Sequence, residues 1–205
     1  MAVGVADHSG WAVLVAVAAI GGVPAVVDRR RVEVVDGDLP RQPYHAAVGL
    51  EVPAATELVR RVERSALART TAVLEELATD LAPAHTVAAL ALRAEAARPI
   101  PPDVAAVLKV HSAMHAAEGE LYREAFAAAA EGLGLDVVRA GRAGAGAEAA
   151  AATGVASERL EEFVAGLRRS LGPPWQADHR RATTGAIAAL AGFVELRVPT
   201  ARAAG

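Results

Sequence analysis

Alternation of apolar and polar residues divides the first part of the chain into strands and turns. Residues 2–7 and 11–20 are almost continuous runs of Val, Ala, Ile and Leu, which predicts strands covered on both faces. Residues 25–35 alternate more and predict a strand at the edge of a sheet. The segments "HSG" and "GGVP" predict turns between these runs, so the three strands form two consecutive hairpins.

Helical spacing dominates the rest of the chain. One long helix has an apolar stripe of Leu58, Val62, Ala66, Val73, Leu77 and Leu81. A buried strand over 85–93 follows, and "PIPPD" then breaks the chain. A second helix continues to about Glu131, with a stripe of Val110, Met114, Ala117, Leu121, Ala125 and Ala128. Residues 135–141 predict the fifth strand.

The last third is predicted to be helical, with one uncertain segment. Residues 141–154 are rich in Gly and Ala without a strong period, which fits either a flexible loop or a weak helix. Ser157 is placed to cap a helix that ends before Gly172, and Asp178 to cap a last helix ending at Gly192. We therefore predict a single α/β domain over residues 1–205, with an antiparallel flank and helices against the sheet.

Composition and charge narrow the classes of function. With 53% hydrophobic and 22% charged residues, the 205-residue chain has the composition expected of a soluble globular protein that can bury a core. The net charge of −3 gives no global attraction for nucleic acid, so a nucleic-acid partner would require a local arginine patch. The apolar stretch 11–27 contains Gly21, Gly22 and Pro24 and predicts two strands rather than a membrane segment.

The absence of cysteine excludes disulfides, cysteine nucleophiles and thiolate metal sites, and we expect a cytoplasmic protein. No phosphate loop of the Walker type and no dinucleotide fingerprint occurs, so no nucleotide cofactor is expected. A homo-oligomer is compatible with the sequence.

The order of elements is that of the ribonuclease H-like fold, and three segments resemble bacterial Holliday-junction resolvases. They are "VGVADHSGWAVLV", similar to the opening strands of that family; "KVHSAMHAAEGELYREAFAAAAEGLGLDVV", similar to its alanine-rich helix and fifth strand; and "PPWQADHRRATTGAIAAL", similar to its acid-bearing last helix. The resemblance covers residues 2 to about 192. It implies a mixed five-stranded sheet flanked by helices, with the three antiparallel hairpin strands first.

The resemblance also implies a mechanism that this chain meets only in part. Resolvases of this type bring several carboxylates to two magnesium ions, which prepare a water for attack on phosphorus. The aspartate of the family's opening strand falls on Ala6, with the acid one place later at Asp7. The fourth strand has no acid before Glu95. In the last helix Asp178 matches the first family aspartate, but the second falls on Arg181.

Histidines offer a different set of metal ligands. His8 adjoins Asp7, and His179 adjoins Asp178. On the second helix, imidazoles and a carboxylate at i, i+4 and i+7 share one flank and can meet one cation. The predicted metal ligands are Asp7, His111, His115, Glu118, Asp178 and His179, with Asp7 and Asp178 as the catalytic acids and Mg²⁺, Mn²⁺ or Zn²⁺ as the ion. The alternative is that the helical histidines are solvent-facing residues with local hydrogen bonds.

Two groups of residues are candidates for contact with a substrate. The hairpin tip carries His8, Ser9 and Trp11, and the loop "RQPYHAA" carries Arg41, Tyr44 and His45, which can hold a phosphate or a base edge. The alternatives are an ordinary turn and a polar loop with one anchoring tyrosine.

Two interpretations remain open. The first is a divergent metal-dependent phosphodiester hydrolase, in which Asp7 and Asp178 meet at one cation. The second is a non-catalytic scaffold or partner-binding protein that has lost the acidic site. An unrelated activity on the same scaffold is a third alternative.

Overall fold

The computed structural model describes residues 1–82, 84–93, 99–140 and 144–199. Three antiparallel strands begin the chain: β1 (Ala2–His8), β2 (Trp11–Ile20) and β3 (Val23–Glu33). Two-residue turns join them, at Ser9–Gly10 and Gly21–Gly22, and Gly10 has a φ of 82°, which favours glycine. These strands form the predicted pair of hairpins.

Two short parallel strands complete the sheet. Strand β4 (Ala89–Leu92) pairs in parallel with β1, and β5 (Asp136–Arg139) pairs in parallel with β4. The strand order is β3-β2-β1-β4-β5. This arrangement confirms the predicted mixed five-stranded sheet with three antiparallel strands first. Strand β4 is shorter than the predicted 85–93, because only its central residues pair with β1.

Helices cover both faces of the sheet. Their bounds are α1 (Pro43–Ala46), α2 (Val52–Leu81), α3 (Val104–Leu108), α4 (His111–Gly132), α5 (Gly144–Thr153), α6 (Ser157–Gly166), α7 (Arg168–Leu171) and α8 (Ala177–Leu190). Helices α2 and α4 contribute to the core cluster on one face, and α5, α6 and α8 contribute to the cluster on the other face. The sheet is therefore the middle layer of three.

The helix predicted after "PIPPD" is divided into α3 and α4. Asp103 caps α3 by accepting a hydrogen bond from the Ala106 amide at 2.8 Å, and a new helix begins at His111. Val110 precedes this helix in extended conformation and is 47% exposed, so its assignment to the core stripe was wrong. The division places the histidines of α4 in its first two turns.

Two predicted helix caps were also wrong, each by one or two positions. The residue before α6 is Ala156, and Ser157 is already helical. The residue that caps α8 is Gln176, and Asp178 lies in the first turn, where its charge interacts favourably with the helix dipole. The described part of the segment 141–154 is helix α5, which packs Ala149 and Ala150 into the core.

No helix within the described ranges is long and apolar enough to cross a membrane. The apolar stretch 11–27 lies in β2 and β3, as predicted.

Small residues let α8 approach β1 closely. A Cβ atom built on Gly4 would lie 1.8 Å from the carbonyl oxygen of Ala182 and 3.0 Å from the amide nitrogen of Ala186. No real Cβ contact is that short, so the backbones would have to separate. The absence of a side chain at Gly4 is thus a condition for the packing of the last helix on the centre of the sheet.

We expect Gly4→Ala to destabilise the protein by about 3 kcal/mol or more, because the methyl group meets backbone atoms that cannot rotate away. Chemical denaturation measures the change. Gly37→Ala is the control, since a Cβ there has no neighbour within 4 Å, and its stability should change by less than about 0.5 kcal/mol. Equal stability of the two variants would contradict the close approach.

Candidate functional site

Strand β1 sends neighbouring side chains to opposite faces of the sheet. Val3 and Val5 belong to the core cluster on the α2–α4 side, whereas Ala2 and Ala6 belong to the cluster on the α8 side. Asp7 continues the first set and His8 the second, because side chains in a strand alternate. Position 6, to which the sequence resemblance assigns the aspartate of the resolvase family, faces α8. The one-residue shift noted in the sequence therefore turns the acid Asp7 towards α4.

The Asp7 carboxylate is buried between two arginines. Its Oδ2 atom accepts hydrogen bonds from Arg93 Nη2 at 2.9 Å and from Arg123 Nη1 at 3.3 Å. The side chain of Arg123, on α4, is only 5% exposed and also pairs with Glu120. Arg139 of β5 extends the group by contacting Glu120 and Glu124. These alternating charges form one ion-pair network, called here the Asp7 network.

A divalent magnesium ion does not fit the Asp7 network. Magnesium requires carboxylate and water oxygens around it, and here two guanidinium groups contact the Asp7 oxygen that faces the network. Strand β4 carries no acid, and Glu95 lies outside the described residues. Sequence reasoning missed Arg93 and Arg123, although an arginine at position 123, within the apolar surroundings of α4, was a signal for a buried partner.

His8 and Asp178 form a second, separate group beside Trp11. His8 Nε2 lies 3.0 Å from Asp178 Oδ2, and Arg181 Nη1 donates to Asp178 Oδ1 at 3.2 Å. The rings of His8 and Trp11 are stacked, with centroids 4.0 Å apart, and the guanidinium of Arg31 lies 4.4 Å from the Trp11 ring. Both Asp178 oxygens therefore have protein partners, and these are different from the partners of Asp7.

His179 is buried and takes part in capping α8. Its Nδ1 atom accepts a hydrogen bond from the backbone amide of Gln176 at 3.3 Å, which requires an unprotonated Nδ1. Burial lowers the pKa of His179, the charge of Arg29 lowers it further, and Asp178 opposes the shift. The structure thus gives a local helix-capping contact to a residue predicted as a metal ligand.

Three histidines come together where the loop 41–47 meets the start of α4. His45 in α1 and His111 and His115 in α4 each offer a ring nitrogen, and these atoms lie within 4.8 Å of one another. The buried Glu118 carboxylate accepts from the backbone amide of His45 at 3.1 Å and contacts His45 Nδ1 at 2.9 Å. This set, called here the histidine cluster, could hold a metal ion. The sequence placed His111, His115 and Glu118 together but assigned His45 to a substrate loop.

The loop of the histidine cluster is attached to α4 by a buried tyrosine. The Tyr122 hydroxyl donates to the backbone carbonyl of Arg41 at 2.8 Å, and burial raises the pKa of Tyr122. Burial, followed by the charges of Glu63 and Glu118, raises the pKa of Tyr44 as well. The Arg41 guanidinium points to Glu33 at 2.9 Å, and Ser9 occupies the β1–β2 turn. Arg41 also packs against the β1–β2 turn, since a Cβ atom built on Gly10 would lie 2.5 Å from its Cγ atom. The structure therefore places Arg41 of the loop beside the hairpin tip that carries His8, Ser9 and Trp11.

No protein-family model and no curated protein matches this sequence. Several solved structures match its fold, and two of them are as follows. Thermus thermophilus RuvC has a TM-score of 0.51 at 16% identity, covering 93% of both chains. T. thermophilus RuvC in complex with Holliday junction substrate has a TM-score of 0.50 at 16% identity, covering 93% of this chain and 92% of the other. The predicted ribonuclease H-like fold, similar to that of the resolvases, is confirmed.

We expect His179 to make the folded protein less stable as the pH falls, because protonation of its ring is disfavoured in the folded state. A His179→Gln variant should lose less stability over the same pH range. The folded-state pKa lies below the ordinary value of 6.5, so the unfolded chain takes up the proton first. The stability that neutral His179 contributes is complete above about pH 6.5, and it is lost as the pH falls through the folded-state pKa. Glutamine accepts the same capping bond without titrating. Denaturation of both proteins between about pH 7.5 and 5 measures the difference, and identical pH slopes would contradict the lowered pKa of His179 in the folded protein.

Proposed function

We propose that this chain is a non-catalytic protein with the ribonuclease H-like fold, which serves as a subunit or partner-binding scaffold. The observation that carries this proposal is the pairing of the buried Asp7 carboxylate with Arg93 and Arg123. The buried guanidinium of Arg123 and the half-exposed guanidinium of Arg93 neutralise the acid that, in the resolvase-type mechanism implied by the sequence resemblance, would hold a metal ion.

Displacing these arginines with a metal ion would be costly. Arg123 is buried, so a cation that took Asp7 would leave its guanidinium with Glu120 as its remaining carboxylate partner. Separating one partner from a buried ion pair typically costs several kcal/mol. Glu120 cannot join the cation without further loss, because Arg123 and Arg139 both contact it. The Asp7 network therefore favours a structural over a catalytic role.

Within the part of the chain that the structure describes, the other positions that the resemblance assigns to acids either lack an acid or hold one that already has protein partners. Ala6 faces α8 at the position of the family aspartate, and Arg181 stands where the family has its second helical aspartate. Asp178 accepts from Arg181 and contacts His8. A single acid with two protein partners cannot bridge two cations and prepare a water between them. These pairings support a function that depends on the stability and the surface of the fold.

A second candidate is metal-dependent hydrolysis of phosphodiesters, and the histidine cluster favours it. Three imidazoles can hold one cation, although Asp7 and Asp178 contact other side chains. Four half-exposed or more exposed arginines surround the end of β1 and are placed to meet phosphates: Arg31, Arg41, Arg93 and Arg181. Each of them already has a carboxylate partner, which reduces the net positive charge available to nucleic acid. The similar Thermus protein bound to Holliday junction substrate makes branched DNA the substrate to test.

A structural role for Asp7 and a role as one of several catalytic carboxylates predict opposite changes in the stability of Asp7→Asn. If Asp7 neutralises Arg93 and Arg123, the variant should be less stable by about 2–3 kcal/mol, because the buried guanidinium of Arg123 loses one of its two carboxylate partners. In a group of catalytic carboxylates, the same change would relieve repulsion and preserve or raise stability. Chemical denaturation at neutral pH measures the change.

Asp80→Asn is the matched control for Asp7→Asn. Asp80 is 52% exposed and pairs with Arg30, which keeps a second partner in Asp28. Its loss should change stability by less than about 0.5 kcal/mol. A more stable Asp7→Asn protein would overturn the proposed structural role of Asp7.

We expect no cleavage when the protein is incubated with a four-way DNA junction and Mg²⁺, Mn²⁺ or Zn²⁺. Gel separation of end-labelled strands detects a single cut, and binding of the uncut junction is measured in the same samples. Asp178→Asn and His115→Ala are the variants to compare. Cleavage that is lost in either variant would contradict the non-catalytic proposal and support the hydrolase.

A further inference from the structure

The histidine cluster brings together nitrogen atoms from two segments that are far apart in the sequence. His111 and His115 lie four residues apart on one face of α4, and their Nε2 atoms are 3.1 Å apart. Two nitrogens bound to one zinc ion at about 2.0–2.1 Å, at the tetrahedral angle, lie roughly 3.3 Å apart. The two α4 histidines therefore already have nearly the spacing of ligands to a common ion.

The third histidine is held by a buried carboxylate. Glu118 is only 1% exposed, and its two oxygens lie 2.9 and 3.0 Å from Nδ1 of His45. A proton on Nδ1 satisfies this contact, which leaves the lone pair of His45 on Nε2. Metal-binding histidines commonly use their second nitrogen in this way, to contact a carboxylate that fixes the ring. The backbone amide of His45 also donates to Glu118 and orients the residue further.

The chemistry of the cluster selects a class of ion. Imidazole nitrogen suits zinc and the late first-row transition metals, whereas magnesium and calcium prefer oxygen. His111 and His115 are exposed and His45 is partly buried, so one side of the cluster faces solvent. Three protein ligands with a solvent-facing fourth position are the arrangement of an open zinc site.

The cluster and the Asp7 network use different side chains of the same helix. His111 and His115 lie in the first two turns of α4, whereas Glu120 and Arg123 of the Asp7 network follow them along the helix. The guanidinium groups of Arg123 and Arg93 lie beside Gly119, so the two groups are neighbours along α4 with no side chain in common.

The geometry points to a divalent transition-metal site, best suited to Zn²⁺, formed by His45, His111 and His115 and positioned by Glu118. The fourth ligand is water or another solvent-derived donor. By joining α1 to α4, the ion fixes the loop 41–47 on the helix that supports it. This inference does not depend on the proposed function, because metal binding is measured without any activity.

Calorimetric titration of metal-free protein with Zn²⁺ tests the site. We expect one ion per chain and a rise in the thermal unfolding temperature, because the ion binds the folded state. Mg²⁺ at the same concentration should give neither effect. Titration with Co²⁺ adds a spectroscopic readout, since a four-coordinate cobalt ion with nitrogen ligands absorbs visible light. Failure of Zn²⁺ to bind saturably would overturn the inference.

Substitutions distinguish the proposed metal ligands His111 and His115 from Glu118, which positions His45. His111→Ala and His115→Ala should each abolish the cobalt absorption and reduce zinc affinity by more than about 100-fold, beyond the range known for positioning residues. Glu118→Gln should keep one ion per chain with affinity reduced by about 10- to 100-fold. Unfolding temperatures without metal confirm that each variant is folded.

His85→Ala is the matched control, because His85 lies outside the cluster. It should bind zinc as the unmodified chain does. If the double variant His111→Ala/His115→Ala bound zinc as tightly as the unmodified chain, the proposed site would be wrong. Junction cleavage tests the proposed function separately, so the two can fail independently.

Discussion

Strand β1 is buried on both faces at the centre of the sheet, and the rest of the structure follows from that position. Its neighbours are β2 on one side and β4 on the other, and helices cover it above and below. Since its side chains alternate, each residue is assigned to one core or the other. Gly4 and the alanines admit α8, whereas Val3 and Val5 pack towards α2 and α4.

The same alternation decides the chemistry at the end of the strand. Asp7 points towards α4 and contacts Arg123, while His8 points the other way and contacts Asp178 of α8. In a ribonuclease H-like protein with a resolvase-type site, the strand acid and the acid of the last helix would be close together. In this chain the displacement of the acid by one residue gives the two carboxylates different partners. The guanidinium groups of Arg93 and Arg123 balance the negative charge of Asp7, which a bound cation would otherwise have to balance.

The histidine cluster offers a metal-binding geometry away from the carboxylates at the end of β1 and the start of α8. It depends on the division of α3 from α4, which begins the helix at His111. It also depends on Tyr122, which holds the loop carrying His45 through the carbonyl of Arg41. Buried Glu118 completes the arrangement, because a carboxylate with so little access to water needs the two donors that His45 provides.

The amino-acid sequence by itself determined the five strands, their order along the chain, the long helices and the resemblance to resolvases, since these depend on local periodicity and turn residues. It also determined the i, i+4 spacing of His111 and His115, because a helix fixes that geometry. Only the tertiary structure decided that His45 joins them, that Arg93 and Arg123 neutralise Asp7, and that Gln176 rather than Asp178 caps α8. The first two involve residues 66 to 116 positions apart. Their contacts depend on how layers pack, and the exact start of a helix depends on which nearby polar group best satisfies its free amides.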